Sequence, residues 1–481
     1  MRKPIVVIIS FIFMIVFMVG CMPPTFMPPV NVNVIPGDNI TDVSIAVDQN
    51  GIKHIVGIKD NQVVYFKANI GEPIYQFTIG WGILTPGVDT SAWVQQQPEI
   101  AVLDNGTAYI VWWEHRNNPD EKTACHYEVP ETYDSPEKIG CVPLDTSGEY
   151  TTGFVRVVAK GNTAYAVYTR MDSSASFVDS IWYKNMDEYT SGLVVDYSVV
   201  GEEAFITSMD LAIDNNGKLH LAYIDLDLDP EDQIPRLFYR SNTTTTGTYE
   251  SMSQIWEIAP GSSGLKGNVH PSIHFHKDGS DTYVMITSVW GAPNESIWID
   301  SCTVVDCVPR APKTPLQSNP DWDSSSEILE VKGLGTTEDY STYALSFIAH
   351  NDVSPNYQVW FWFSPFGNNP VQVTDTTYIK SHLNMVAGSD YAPVVGFVER
   401  WEVSDPIISD FERVSIYDGL NGLREIKTNS CLATSKTKSL DMASYIKSGA
   451  DFLPVAGVWN YCGTTWFTTN ANLVSLPLIV K

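Results

Sequence analysis

A hairpin pattern recurs along the chain every 55 residues or so. Each copy has an alternating apolar strand, a tight turn, a second apolar strand, a loop and an aromatic third strand. Asn-Gly and Asp-Gly turns between apolar runs strongly predict hairpins, because both central residues need positive φ. The glycines that mark the predicted turns are Gly51, Gly106, Gly161, Gly217, Gly279, Gly335, Gly388 and Gly449.

A supersecondary unit of this length predicts an all-β fold, a β-propeller with about eight four-stranded blades. Seven blades is the alternative if one terminal copy is a partial unit. A single blade leaves a sheet face bare, and stacking blades around a common axis buries both faces. The coils of parallel β-helices are much shorter than this unit, and immunoglobulin-like domains are much longer. The sequence lacks a long amphipathic helix, which argues against α/β folds.

The best copies of the repeat share a written pattern, P-x-I-A-V-D-x-N-G-x-x-H. Ile45 to Asp48, Gly51 and His54 carry it in the first copy, and Gly217 and His220 carry its second half in the fourth. This pattern resembles the repeats of secreted bacterial propellers related to the sialidase-like group, over most of residues 42–470. The Asp-box of that group, S-x-D-x-G-x-x-W, is missing, and residues 463–466 match only its tail. The resemblance therefore implies a fold and not a reaction.

The N-terminus has the form of a bacterial export signal. Arg2 and Lys3 precede an apolar run over residues 5–20, which ends in Gly20-Cys21. This ending resembles the lipobox of bacterial lipoproteins, which implies cleavage before Cys21 and lipidation of its thiol. An uncleaved signal anchor is the alternative. The predicted organisation is a signal peptide over 1–20, a lipidated Pro-rich tether over 21–40 and a propeller over 41–481, anchored to a membrane of the cell envelope and facing outside the cytoplasm.

Six cysteines remain once Cys21 is set aside, an even number that suits disulfides in an exported protein. A zinc site is the competing interpretation, but no cysteine pair has C-x₂-C spacing. Six cysteines allow fifteen pairings, so the connectivity stays open. The pairs closest in the predicted fold are Cys125 with Cys141, Cys302 with Cys307, and Cys431 with Cys462.

The formal charge of −27 excludes nucleic acid as a partner, because phosphate binding needs clustered Lys and Arg. Binding residues concentrate on loops held by a rigid scaffold. We therefore expect a ligand, an extracellular glycan, peptide or protein, on the face that carries the loops between second and third strands. The candidate ligand-binding residues there are Trp113, Glu114, Arg116, Arg170, Asp172, Trp290, His350, Asp352, Glu399, Arg400 and Trp401.

Two groups of residues could hold a metal. Asp225, Asp227 and Asp229 offer carboxylates at alternating positions, which suits Ca²⁺. Ordinary solvent-facing aspartates at the end of a strand are the competing interpretation. Residues His270, His274 and His276 share one face of a strand at period two, where neighbouring imidazoles could bind a transition metal.

The sequence predicts a non-catalytic recognition or scaffold propeller at the cell surface. The alternative is a sialidase-like or other glycoside hydrolase or lyase that acts on extracellular carbohydrate. The resemblance implies that such an enzyme would pair arginines with a substrate carboxylate, and Arg116, Arg170 and Arg400 are the candidates. Charged side chains converging in a central pocket would favour the enzyme, and a broad aromatic surface would favour the binder.

Overall fold

The computed structural model of the chain describes an all-β protein. No helix with the length and hydrophobicity needed to cross a bilayer occurs in the described part of the chain. The described residues are 32–33, 40–68, 75–78, 93–116, 122–131, 142–144, 150–151, 153–172, 178, 180–188, 190–196, 204–227, 235–241, 265, 269–291, 296–304, 309–313, 327–335, 342–351, 356–363, 370–387, 393–401, 411–418, 422–426, 440–444, 455–461 and 464–469.

The first four blades follow one another along the chain as antiparallel sheets. The first contains β2 (Thr41–Val47), β3 (Lys53–Lys59), β4 (Gln62–Ala68) and β5 (Tyr75–Thr78). The second contains β6 (Trp93–Val102), β7 (Ala108–Arg116), β8 (Lys122–Val129) and β9 (Val142–Pro143). The third contains β10 (Tyr150–Thr151), β11 (Val155–Lys160), β12 (Thr163–Asp172), β13 (Ser180–Asn185) and β14 (Ser191–Asp196). The fourth contains β15 (Ala204–Ile213), β16 (Leu219–Asp227) and β17 (Pro235–Ser241).

The second four blades repeat the arrangement. The fifth contains β18 (Ser272–Asp278), β19 (Asp281–Trp290), β20 (Ser296–Thr303) and β21 (Pro309–Lys313). The sixth contains β22 (Glu327–Gly335), β23 (Tyr343–His350), β24 (Gln358–Phe363) and β25 (Val371–Gln372). The seventh contains β26 (Ile379–Ala387), β27 (Pro393–Trp401), β28 (Phe411–Asp418) and β29 (Gly422–Ile426). The eighth contains β30 (Leu440–Ser444), β31 (Val455–Tyr461), β32 (Thr464–Thr469) and β1 (Val32–Asn33).

The sheets form a closed ring. Each innermost strand contacts the innermost strand of the next sheet, in the order β2, β6, β11, β15, β18, β22, β26 and β30, and β30 contacts β2. The predicted propeller is therefore confirmed, and the described residues form eight sheets. First-to-second strand turns lie on one face of the ring, called here the turn face. Second-to-third strand connections lie on the other, called here the loop face.

The ring closes through the N-terminal strand. β1 pairs with β32, so that Val32 faces Phe467 and Asn33 faces Trp466. The last blade thus takes its outermost strand from the beginning of the chain.

The repeated glycines have the expected conformation in the first five copies. Their φ values lie between 63° and 83° at Gly51, Gly106, Gly161, Gly217 and Gly279. The sixth copy differs from the prediction, because Gly335 ends β22 and pairs with Tyr343. Residues 388 and 449 lie outside the described part of the chain.

Apolar side chains fill the space between neighbouring blades. Between the first two blades, Val56, Ile58 and Tyr65 pack against Ile110 and Trp112. All five side chains are buried. Full burial of an aliphatic or aromatic side chain of this size contributes ~1.5–3 kcal/mol. Repeated blade interfaces of this kind supply most of the apolar burial.

A buried polar network stabilises the turn of the first blade. Asp48 Oδ1 accepts the backbone N–H groups of Asn50 and Ile52 at 2.8 and 2.9 Å. Its Oδ2 lies 3.7 Å from His54 Nε2, while Nδ1 of His54 hydrogen-bonds to the Tyr65 hydroxyl at 2.7 Å. Burial lowers the pKa of His54, so the ring is held neutral. The Asp, Gly and His of the repeat pattern therefore have a structural role.

The fourth blade contains the same network. Asp214 Oδ1 accepts the N–H groups of Asn216 and Lys218, both at 2.8 Å. His220 Nε2 lies 3.6 Å from Asp214, and its Nδ1 hydrogen-bonds to the Tyr239 hydroxyl at 2.7 Å. Burial acts to raise the pKa of the Asp214 carboxyl, but His220 and the two N–H donors together hold that pKa below its ordinary value.

Tyr65→Phe should destabilise the fold by ~1–3 kcal/mol, because it leaves a buried imidazole nitrogen of His54 without its partner. Denaturant unfolding measures the change. A double-mutant cycle with His54→Phe should show coupling of at least ~0.5 kcal/mol, whereas Tyr65→Phe and Tyr239→Phe should be additive because they lie in separate blades. Additivity within the first pair would contradict the network.

Candidate ligand-binding site in the central channel

The innermost strands present one polar residue per blade at the same level of the channel. In the repeat, this residue directly precedes the apolar run of the first strand, and each one pairs in register with the second strand of its blade. We call these eight residues the polar ring: Ser44, Glu99, Arg156, Asp210, Ser272, Lys332, Asn384 and Asp441.

β-bulges occur just before this level. The register between first and second strands shifts there in the first, second, fourth, sixth and seventh blades. Three bulges contain a non-glycine residue at positive φ, namely Asp42, Gln97 and His382. The polar-ring residue follows two positions later in each of the three. Because a bulge bends its strand and re-aims the next side chains, these bulges help set the direction of the ring residues.

Four members of the polar ring bond to the backbone of the next blade. Each accepts the N–H of the residue that follows the next ring member, which joins strands that share no sheet. The bonds run from Ile45 to Asp441 Oδ2 at 2.9 Å, from Val157 to Glu99 Oε2 at 3.3 Å, from Ile273 to Asp210 Oδ2 at 2.8 Å, and from Gly333 to Ser272 Oγ at 3.0 Å.

Six of the eight members of the polar ring also line a cavity of about 430 Å³. Its charged lining residues come from five different blades and are Glu99, Arg156, Asp210, Lys332 and Asp441, with Ser44 and His270 beside them. A volume of this size lies within the range of small-molecule sites. None of these five charged residues is among the candidates predicted from the sequence. Aligning the eight repeats by their turns would have found them, since a polar residue occupies this position in every copy.

Glu99 and Arg156 form an ion pair across two blades. Burial raises the pKa of Glu99, and the negative charge of Asp441 acts in the same direction. Arg156 and the Val157 N–H oppose this shift by stabilising the carboxylate. The Glu99 carboxylate therefore has a partner on each oxygen.

Asp441 is saturated by hydrogen bonds. Oδ2 accepts the Ser44 hydroxyl and the Ile45 N–H, at 3.0 and 2.9 Å. Oδ1 accepts the Asn384 amide and the Met442 N–H, at 2.8 and 2.9 Å. Burial raises the pKa of Asp441, and these four donors oppose the shift. Its main role is to join the last blade to its neighbours.

Asp210 has fewer partners. Its two oxygens accept one backbone N–H each, from Leu211 at 3.0 Å and from Ile273 at 2.8 Å. Burial raises the pKa of Asp210, while the positive charges of Lys332 and Arg156 oppose the shift. Asp210 is thus a half-buried carboxyl that lines a cavity together with two cations, and it can act as an acid or as a counter-ion.

A wider cavity of about 1030 Å³ adjoins the turn face. It shares Ile45, Ile100, Val157 and Met442 with the lining of the polar cavity, so the two form one channel. The wall at this end is mainly apolar and includes Ala46, Ala101, Val158, Leu334 and Val386. Asp104, Lys160 and Asp214 also line this cavity, so an apolar stretch of wall separates the charges of the polar ring from those near the turn face.

Ten of the predicted ligand-binding residues lie in second strands instead of the loops after them. These strands continue further toward the loop face than the sequence suggested, so the assignment to loops was wrong. The ten are Trp113, Glu114 and Arg116 in β7, Arg170 and Asp172 in β12, Trp290 in β19, His350 in β23, and Glu399, Arg400 and Trp401 in β27. Asp352 lies outside the described residues, as do the side chains of Arg116, Asp172 and Trp401.

Glu114 is buried between the first and second blades. Its Oε2 accepts the Gln95 amide at 2.8 Å and the Trp112 indole N–H at 3.1 Å. Gln95 in turn accepts the backbone N–H of Val63 at 2.7 Å. This chain of bonds connects two blades, and Glu114 is only 2% exposed.

Glu399 has a similar place between the sixth and seventh blades. It is fully buried and accepts the hydroxyls of Thr376 and Ser415, at 3.0 and 2.8 Å. Two of the predicted tryptophans are also buried between neighbouring blades. Trp113 donates its indole N–H to Gln97, and Trp290 donates its own to Ser288.

The three candidate arginines are not equivalent. Arg170 pairs with Ser180 in register, and its guanidinium carbon lies 3.8 Å from the centroid of the Trp182 ring on the same blade. Counted from the residue paired with the polar ring, Arg170 lies three positions further and Arg400 four. Because successive residues alternate between sheet faces, Arg400 projects from the opposite face of its blade.

His350 contacts residues of its own blade. Its Nε2 lies 3.6 Å from Glu327 Oε2, and its ring meets that of Tyr357 edge to face with centroids 4.9 Å apart. It is thus part of a small cluster near the loop face.

The metal hypotheses rest on residues in different surroundings. Asp225 is buried in β16 and pairs in register with Arg236, while the Asp227 side chain and Asp229 lie outside the described residues. Among described side chains, no group of three or more His, Cys, Asp or Glu could hold a metal ion. His270 lines the polar cavity, whereas His274 is buried against the sixth blade. The Ca²⁺ site stays a prediction.

No family model and no curated protein sequence matches the chain. Solved propeller structures resemble it at low identity. An α-L-arabinanase of Penicillium chrysogenum is 12% identical, with a TM-score of 0.37 over 68% of this chain and 93% of that one. A mutant α-L-arabinofuranosidase of Fusarium graminearum is 10% identical, with a TM-score of 0.39 over 70% and 97%. An ulvan lyase is 9% identical, with a TM-score of 0.38 over 92% and 93%.

His274 is a buried ring with an unusual environment. Neither of its ring nitrogens has a hydrogen-bond partner among the described residues. The ring packs against Gly333, where a side chain would overlap it, and lies 5.6 Å from the ring of Tyr343. Burial lowers the pKa of His274 to about 3, and His276 adds to the shift.

His274→Leu should flatten the dependence of stability on pH. The folded pKa of His274 lies below its unfolded value of 6.5, so its contribution to stability is lost as pH falls below 6.5. At pH 5 this loss amounts to ~2 kcal/mol. Between pH 7.5 and 5.0, the free energy of unfolding measured with denaturant should fall by ~2 kcal/mol less in the variant than in the wild type. Phe275→Leu, at a buried residue of the same strand that does not titrate, is the control and should keep the wild-type slope.

Proposed function

We propose that this protein is an exported lipoprotein that recognises a polar extracellular ligand, a glycan before a peptide or protein, in its central channel. The observation that carries the proposal is the cavity of about 430 Å³ that receives charged side chains from five blades. A cavity shared by many blades gives one ligand many rigidly held partners.

The predicted lipid anchor and the described strands together suggest an orientation. β1 pairs antiparallel with β32, so the chain enters β1 at the turn face and leaves it toward the loop face. Only ten residues separate Cys21 from Val32, and they span about 40 Å at most. An anchor at Cys21 would therefore hold the turn face toward the membrane and direct the loop face, with the polar end of the channel, outward.

The predicted disulfides belong to the same proposal. Export would place the chain in an oxidising compartment, where cysteines pair. Cys125 and Cys302 are fully buried in β8 and β20, while Cys141 and Cys307 lie outside the described residues. We propose one bridge within the second blade and one within the fifth.

A hydrolase or lyase acting on carbohydrate is the second candidate. Asp210 favours it, because a carboxyl whose pKa is raised by burial, beside two cations in a cavity, suits general acid catalysis. The two candidates differ in their products. An enzyme would release new reducing ends or unsaturated sugars from a bound glycan, and Asp210→Asn would abolish release while keeping binding. A binding protein would leave the glycan intact.

Filling the polar cavity should abolish ligand binding. Ser44→Phe places a ring at the level of the polar ring, and affinity for a glycan found by array screening of the full chain should fall at least tenfold. Ala46→Phe, two residues nearer the turn face in the same strand, is the matched control and should change affinity less than threefold. Cooperative unfolding of both variants verifies the fold. Unchanged binding by folded Ser44→Phe would show that the ligand does not bind in this cavity.

The orientation can be tested by labelling in intact cells. Ser280→Cys lies exposed in a turn-face hairpin, and Thr377→Cys lies exposed between β25 and β26 on the loop face. A bulky membrane-impermeant maleimide should react at least fivefold faster with Thr377→Cys. In a Cys21→Ser background, which removes the anchor, both should react at similar rates. Faster reaction at Ser280→Cys in the anchored protein would reverse the orientation.

A further inference from the structure

The charges around the channel are distributed unevenly. Carboxylates of the last and second blades, Asp441 and Glu99, have their oxygens occupied by neighbouring blades. Lys332 of the sixth blade differs from them. It lines the cavity, and its ammonium makes no hydrogen bond or ion pair with a described residue.

Lys332 instead interacts with nearby titratable groups through its charge alone. Its positive charge acts on Asp210 of the fourth blade and on His270, which precedes β18. Arg156 acts on the same two groups from the third blade. Asp210 is therefore the internal counter-ion of two cations that lie on either side of it around the ring.

This arrangement favours an anion over a cation as the guest. A bound cation would have to compete for carboxylate oxygens that already accept one or two hydrogen bonds each. A bound carboxylate would meet a lysine whose three donors are available and an arginine that lies 30% exposed. Charge-assisted bonds to these two cations would be the strongest new contacts in the cavity.

We propose that the channel selects a ligand bearing one carboxylate on a polyhydroxy body, such as a sugar acid, and that this carboxylate replaces Asp210 as the counter-ion of Lys332 by contacting the ammonium directly. The inference rests on the channel being the ligand site, and it names the ligand class. A cavity of about 430 Å³ has room for one such unit. The unit can be a free sugar acid or the end of a longer glycan, which share the same carboxylate.

Competition with Asp210 makes binding depend on pH. The groups that act on Asp210 are Lys332, Arg156 and the N–H donors of Ile273 and Leu211. When the ligand anion takes the cations, the pKa of Asp210 rises further and the carboxyl takes up a proton. Affinity for the anion should therefore increase as pH falls, until the ligand carboxylate itself becomes protonated.

Calorimetry on the full chain tests the inference with D-glucuronate, an oligoglucuronate and neutral D-glucose. Wild-type protein should bind glucuronate at least tenfold more tightly than glucose. Lys332→Met should remove that preference, and Lys277→Met, on the neighbouring inner strand near the turn face, should retain it. Asp210→Asn should strengthen glucuronate binding three- to tenfold and abolish its pH dependence.

The oligoglucuronate distinguishes the two sources of the carboxylate. Equal affinity for monomer and oligomer supports a free sugar acid, and tighter oligomer binding supports a glycan end.

Two results would overturn the inference: an unchanged glucuronate preference in Lys332→Met, or weaker glucuronate binding in Asp210→Asn. Acetate, as a minimal probe, separates the inference from the proposed function. Saturable stabilisation of wild-type protein by acetate, absent in Lys332→Met, supports the anion site even if no glycan binds. Glycan binding in the cavity without any effect of Lys332→Met would leave the proposed function standing and the inference refuted.

Discussion

The structure depends on contacts between neighbouring blades, because no blade can bury both of its faces alone. Apolar packing such as that of Trp112 against the first blade supplies the bulk of this burial. Hydrogen bonds then fix the position of each blade relative to the next. Side chains of one inner strand accept backbone N–H groups of the following strand, as Asp441 does from Ile45. Such bonds tie together strands that belong to different sheets, and they concentrate at the channel.

These hydrogen bonds between blades explain why so many carboxylates lie at the centre of the protein. A buried carboxylate without partners would be strongly unfavourable, and donors from the next blade offset that cost. Asp441 has two donors from the first blade, one from the seventh and one from its own strand, and Glu99 has an arginine as well. Lys332 stands apart, since its charge faces the cavity without a direct partner in the described structure. The same ring therefore contains residues used for stability and residues available to a ligand.

Much of the fold could be predicted from the sequence, because turn chemistry is local. An Asn-Gly at Gly51 or Gly217 specifies a hairpin whatever its neighbours are. Where that signal weakened, at Gly335, the prediction of the turn was wrong although the blade itself exists. The candidate site was harder to predict. Glu114 and Glu399 look like loop residues in a linear reading, but their strands continue, and both carboxylates lie between blades. The polar ring depends on bringing together residues from all eight repeats, which no single copy reveals.

The pairing of β1 with β32 has a consequence for biogenesis. Val32 is among the first described residues to be synthesised, but its partner Phe467 is among the last. Until the final hairpin arrives, the eighth blade does not exist and the first blade has a bare apolar side. The ring can therefore close only after the last blade has been synthesised. In the proposed lipid-anchored protein, any pull on the membrane tether would act directly on the strand that closes the ring, so the blade that completes folding would also carry the mechanical load.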